Sequence, residues 1–263
     1  MHFLYCDETN FTKTPGDFFV YGGVTFDAAL AGDIAADIEA ARVARGVPRD
    51  YLLKFNPGPQ HFSHRQFIEL KQSVIAIAVK FNCKLLINLL LHDIATSSEE
   101  ARRFGINTLC YHFDCYLSRP QSAGLVLIDR FDDKHIDGQL KEKLSVGLTG
   151  HLPYGDEMKI HRIVGYHLTA IGQSHFCSLV DIVLGSLRFA INAFTQANAA
   201  HLATAESILH QLAPLFFRDG SDVVHEISLS FSPKEIRSPD FRARYRALAD
   251  FLSSNGIPSR QAL

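Results

Sequence analysis

The sequence has almost no net charge: 26 Lys and Arg stand against 28 Asp and Glu, a formal −2 over 263 residues. No field from the whole protein draws in nucleic acid or an anionic membrane, so any phosphate binding must come from a local patch. Long apolar runs are missing too. Runs such as Val74 to Val79 and Ala123 to Ile128 fall far short of the ~20 residues a membrane span requires. Cysteines are few and odd in number (Cys6, Cys83, Cys110, Cys115 and Cys177), and no two form a Cys-x-x-Cys pair. That pattern predicts reduced, buried thiols. The opening Met1-His2-Phe3-Leu4-Tyr5-Cys6-Asp7 has no basic region and meets an acid almost at once, so no signal peptide is expected. Together these absences predict a cytoplasmic protein without a membrane partner.

Several chemistries lose their usual marks. There is no Gly-x-x-x-x-Gly-Lys, no Gly-x-Gly-x-x-Gly after a strand, no serine elbow and no His-Glu-x-x-His. Thirteen histidines invite a zinc reading, but His61/His64, His161/His167 and His175 have no zinc-finger spacing. His167, at the end of an expected strand, is the one placed to act as a base or to meet substrate, and its plainer role is that of a surface histidine.

What is present is ordinary globular usage, 47% hydrophobic and 21% charged. The length suits one large domain, or one domain with an appendage. Phe3 to Cys6 and Phe18 to Val24 read as two strands of a hairpin, the second with a bend or bulge at Gly22-Gly23. Leu85 to Leu91, Gly124 to Ile128 and Ile160 to Tyr166 read as further strands. Helices are expected over Asp27 to Arg45, from a cap at Ser63 to Phe81, from Ser97 to Leu117, from Asp132-Asp133 to Leu144, and over His175 to Phe194. Later come helical patterns at Leu202 to Phe216 and Phe241 to Leu252, with a strand at Val223 to Leu229. The alternation predicts an α/β layer fold with a mixed sheet flanked by helices. Residues 1–198 form its core and 199–263 a mainly helical extension. That extension must pack on the core or form a homodimer contact, because Leu209, Leu212, Leu215, Phe216 and Phe217 are too apolar for water.

Three acids stand out by position. Asp7 and Asp129 close expected strands, and Asp181 lies on the flank of an apolar helical stripe, with Cys177, Ser178 and Gly185 one turn away. Carboxylates at the ends of neighbouring strands, joined by one from a covering helix, suit a pair of Mg²⁺ or Mn²⁺ ions. Such hard cations prefer oxygen ligands and can serve phosphodiester hydrolysis. Each acid also has a plainer role: Asp7 and Asp129 as turn residues, Asp181 as the partner of Arg188 or a lysine. Arg42, Arg45, Arg49 and Lys54 offer a basic ridge, and Arg237, Arg242, Arg244 and Arg246 another.

In order, Tyr5-Cys6-Asp7-Glu8-Thr9, Phe19-Val20-Tyr21-Gly22-Gly23-Val24, Leu53-Lys54-Phe55, Leu127-Ile128-Asp129 and Ser178-Leu179-Val180-Asp181 resemble a bacterial family. It is catalogued as domain of unknown function 3800 and marked by an N-terminal Asp-Glu and a C-terminal Gln-x-x-Asp. The match spans roughly the first 195 residues. The resemblance implies a ribonuclease H-like core, with Asp7, Glu8, Asp129 and Asp181 as metal ligands and Lys54 as a phosphate contact. Ser178 stands where the family has glutamine. The expected function is a divalent-metal-dependent, nuclease-like hydrolase acting on nucleic acid or a nucleotide. The competing expectation is a catalytically silent α/β scaffold that binds a nucleotide, nucleic acid or protein.

Overall fold

The computed structural model describes residues 1–131, 138, 140 and 160–263. Apart from Gly138 and Leu140, the helix expected from Asp132-Asp133 to Leu144 lies outside these described residues. Six strands form one mixed sheet in the order β5-β4-β1-β2-β3-β6. β1 (His2–Thr9) pairs antiparallel with β2 (Phe18–Asp27), which pairs antiparallel with β3 (Lys84–Leu91). β4 (Gly124–Asp129) runs parallel to β1, and β5 (Ile163–Thr169) parallel to β4. β6 (Leu229–Ser232) adds a parallel strand outside β3. This is the expected α/β fold, a mixed sheet flanked by helices.

One face of the sheet carries most of the helices. α1 (Ala31–Ala44), α2 (His64–Lys80) and α4 (His175–Thr195) join α5 (Ala199–Leu212) and α6 (Pro239–Ser254) there in one continuous core. α3 (Ser98–Leu117) covers the opposite face over a second core. The starts of three helices follow the sequence closely. Ser63 forms a full capping box with Gln66, while Ser97 and Ser174 accept from Glu100 N and Cys177 N. α4 is long and apolar enough to cross a membrane, but most of it is buried in the core.

Four differences from the sequence reading have local causes. β1 runs on through Thr9, so Asp7 lies inside the strand instead of closing it, because β2 continues opposite it as far as Val20. β2 has no bulge at Gly22-Gly23, whose residues pair in unbroken register with Asp7 and Cys6. Those glycines are needed for closeness: a methyl at Gly22 would lie 2.3 Å from Ile87 Cδ1 and 2.9 Å from Leu184 Cδ2. The helix expected to reach Phe216 stops at Leu212, and a single 3₁₀ turn carrying Pro214 follows. The late strand sits at Leu229–Ser232, beyond the expected Val223 to Leu229. Val223, Val224 and Ile227 carry the apolar density expected of a strand, whereas β6 alternates Leu229 and Phe231 toward the main core with Ser230 and Ser232.

The residues after Asn198 share that main core. Leu209, Leu212 and Leu215 are fully buried and Phe216 nearly so. Their surface is covered within the chain.

Candidate functional site

Side-chain alternation along β1 decides where its acids point. Tyr5 packs in the helix-rich core and Cys6 in the α3 core, so Asp7 follows Tyr5 and Glu8 follows Cys6. On β4, Leu127 packs against the helix-rich core while Val126 and Ile128 face α3, which aims Asp129 the same way as Asp7. α4 crosses that face and brings Asp181. All three aspartates line one recess of about 190 Å³, together with Tyr5, Lys54, Thr169, Ile171, Cys177 and Val180. An adjoining recess of about 170 Å³ shares Asp7 and Asp181 and adds Phe55, Asn56, Gly185 and Arg188.

The backbone holds two of these carboxylates. Glu8 N–H donates to Asp7 Oδ1 at 2.8 Å, and Phe55 N–H donates to Asp181 Oδ2 at 2.5 Å. Phe55 reaches Asp181 because Gly185, one helical turn on, has no side chain. A methyl there would lie 2.3 Å from Phe55 Cγ. The Phe55 ring is flanked by cations, with Lys71 Nζ 4.2 Å and the Arg188 guanidinium 5.5 Å from its centre.

Burial pushes the Asp7 carboxyl well above the usual carboxylate range, and the charges of Asp129, Glu8 and Asp181 push it further. Burial also raises Asp129, against the Arg130 N–H and with help from the charge of Asp181. Asp181 is raised by burial too, opposed by the Phe55 N–H, Lys54 and Arg188. Three carboxyls in one recess therefore all resist ionising. Such a group is costly for folding alone and is a mark of functional sites.

The remaining predicted residues divide. Lys54 lines the recess. Glu8 borders the adjoining one, but its carboxylate sits on the α3 face, 3.3 Å from Arg102 Nη1 in a buried ion pair. His167 is exposed on β5, two residues before Thr169, and is absent from the lining. Ser178 is buried in α4. The first basic ridge is largely structural. Arg42 donates to the carbonyls of Pro48 and Tyr51, and Arg45 to Glu69 O and Ser73 Oγ. In the tail, Arg242 donates to Ile236 O and Arg246 to Leu263 O.

Among the described residues, no group of three or more His, Cys, Asp or Glu side chains is arranged to hold a metal ion. The aspartates share a wall without being gathered on one point. Sequence reasoning missed the Phe55 N–H, since a backbone donor has no residue signature, and Thr169, which only the pairing of β4 with β5 brings beside Asp129.

Comparison with protein-family models, with curated proteins and with solved structures finds no match.

Proposed function

We propose that the chain is a divalent-metal-dependent, nuclease-like phosphodiester hydrolase of the cytoplasm, akin to the bacterial family that its motifs resemble. One observation carries the reading. Half-buried aspartates from β1, β4 and α4 line a single recess that Lys54 also lines, and burial raises all three above the usual carboxylate range. An ordinary core has no use for such a set. Its donor chemistry, all hard oxygen, suits Mg²⁺ or Mn²⁺ and poorly suits zinc. Asp7, Asp129 and Asp181 would hold the metal, with Glu8 kept back by Arg102.

When bound, a divalent cation polarises the phosphate, activates water and stabilises the leaving oxygen. The other roles fall to the chain. Lys54, on one side of Asp181, and Arg188, on the other, set positive charge beside the acids and would seat the substrate phosphate. The Phe55 N–H fixes the rotamer of Asp181. Substrates of this chemistry are nucleic acids, nucleotides or small phosphodiesters.

A silent scaffold that binds a nucleotide, nucleic acid or protein remains the second reading. It is favoured by the absence of an arranged metal group among the described residues and by Ser178 in place of glutamine. Thermal melts with and without Mn²⁺ separate the two. The hydrolase reading expects Mn²⁺ to raise the melting temperature of wild type but not of Asp181→Asn, and expects hydrolysis of bis(p-nitrophenyl) phosphate that the substitution abolishes. Equal shifts in both proteins would put the metal elsewhere and sink the reading.

A further inference from the structure

β6 forms one edge of the sheet, outside β3. Ile87 N–H donates to Ser228 O across that pairing. In a parallel ladder the backbone groups of alternate residues turn to the same side. Those of Ser228 and Ser230 therefore face β3, and those of Leu229 and Phe231 face outward. An outward row of N–H and C=O groups is a template on which another strand can pair. The strand's own sequence, Leu229-Ser230-Phe231-Ser232, supplies no charge to deter one.

The chain answers the row itself. Leu229 N–H donates to His225 O at 3.2 Å. Phe231 is met by a side chain: its N–H donates to Gln261 Oε1 and its C=O accepts from Gln261 Nε2, both at 2.8 Å. A glutamine amide carries the same kinds of donor and acceptor as a peptide unit. Two bonds to one residue are what an antiparallel neighbour gives at a hydrogen-bonded pair. Gln261 thus stands where a further strand would begin.

The segment that carries Gln261 is anchored on its own account. Val224 N–H donates to Pro258 O at 2.7 Å and Arg260 N–H donates to Val224 O at 3.2 Å, a short parallel bridge between Val224 and Ser259. Ile257 is fully buried, and Arg246 Nε donates to Leu263 O at 2.6 Å. None of these contacts involves the Gln261 amide. They place it, and the amide closes the edge.

We propose that Gln261 is an edge stop: by occupying Phe231 it ends the sheet and bars a second copy of the chain from extending it. The pairing it bars is β6 on β6, antiparallel. Such a row is self-complementary, because about a two-fold axis Phe231 in each copy gives its N–H to the C=O of the other. The device is independent of the hydrolase reading, since neither acid recess is lined by β6 or by residues 257–263.

Hydrogen exchange and sedimentation velocity on the full chain test it. In Gln261→Ala, Phe231 N–H should exchange about tenfold faster than in wild type, the loss expected for one hydrogen bond. Leu89 N–H, inside the sheet, should keep its wild-type rate. The same variant should self-associate more than wild type at equal concentration. Gln261→Glu keeps an acceptor for Phe231 N–H and adds a charge that two facing copies would both carry, so it should stay at the wild-type size. If Gln261→Ala loses its cooperative melt, Gln261→Asn, shorter by one methylene, takes its place with the same expected readings. The proposal is overturned if Phe231 exchange is unchanged, if it quickens without added self-association, or if Gln261→Glu associates as much as Gln261→Ala.

Discussion

The backbone N–H of Phe55 donates to Asp181 Oδ2 at 2.5 Å, joining the loop before α2 to the middle of α4 across 126 residues of chain. This bond stabilises the ionised form of a carboxylate that burial disfavours. It also depends on a position with no side chain, Gly185.

Gly185→Ala tests that dependence. Alanine has the higher helix propensity by about 1 kcal/mol, yet its methyl would meet Phe55 Cγ at 2.3 Å. Overpacking of this kind costs about 1–3 kcal/mol. We expect a net lower melting temperature and a weaker response to Mn²⁺. A more stable variant would show that the Phe55 loop yields freely.

Asp181→Asn removes a half-buried charge while keeping an oxygen for the Phe55 N–H to meet. The metal-free protein should be unchanged, or melt about 2–4 °C higher, the shift that ~1 kcal/mol gives in a chain of this size. A clear loss of metal-free stability in scanning calorimetry would mean that the carboxylate holds a structural contact.

The pH dependence has a definite sign. Asp7, Asp129 and Asp181 have folded-state pKa values raised above the ordinary range, so the folded protein holds their protons more tightly than the unfolded chain. Their contribution is harmless below about pH 4. It turns unfavourable as pH rises through the folded-state values, because the charged forms then have to be buried. Asp7→Asn should therefore gain on wild type as pH rises from about 4 to 8 in metal-free urea melts. A difference that stays flat across this range would refute the raised carboxyl.

Arg102 lies only 4% exposed and pairs with Glu8. Its guanidinium also covers the Phe131 ring at 3.8 Å. Replacing it with methionine leaves a carboxylate with little water and no partner, at a cost of about 3–5 kcal/mol. Glu8→Gln should cost less and leave any Mn²⁺ shift intact, since that carboxylate belongs to the ion pair. Loss of the metal response in Glu8→Gln would return Glu8 to the ligand set.

Much of this is legible in the sequence. The dense run ending in Leu91, the run Gly124 to Ile128 and the serine caps at 63 and 97 all mark elements now found within a residue or two of their expected places. The convergence of Asp7, Asp129 and Asp181 on one recess follows from side-chain alternation along β1 and β4 and from the stripe on α4, both of which have a period in sequence. Other features have no such period. His167 looked like a site residue because it sits near a strand end, but β5 continues to Thr169, and it is Thr169 that reaches the recess. The arginine ridge read as free charge, while the carbonyls that hold Arg42 and Arg45 are tertiary neighbours.

Asp7 and Glu8 are consecutive, so β1 deals one carboxylate to each face: the first to the recess under α4, the second to Arg102 on α3. A slip of β1 by a single position would exchange them. Glu8 would then crowd the aspartates, and Asp7, shorter by one methylene, would be left to answer the arginine. The buried pair on α3 thus acts as a register lock. By holding Glu8 on its own side of the sheet, Arg102 keeps Asp7 facing the recess.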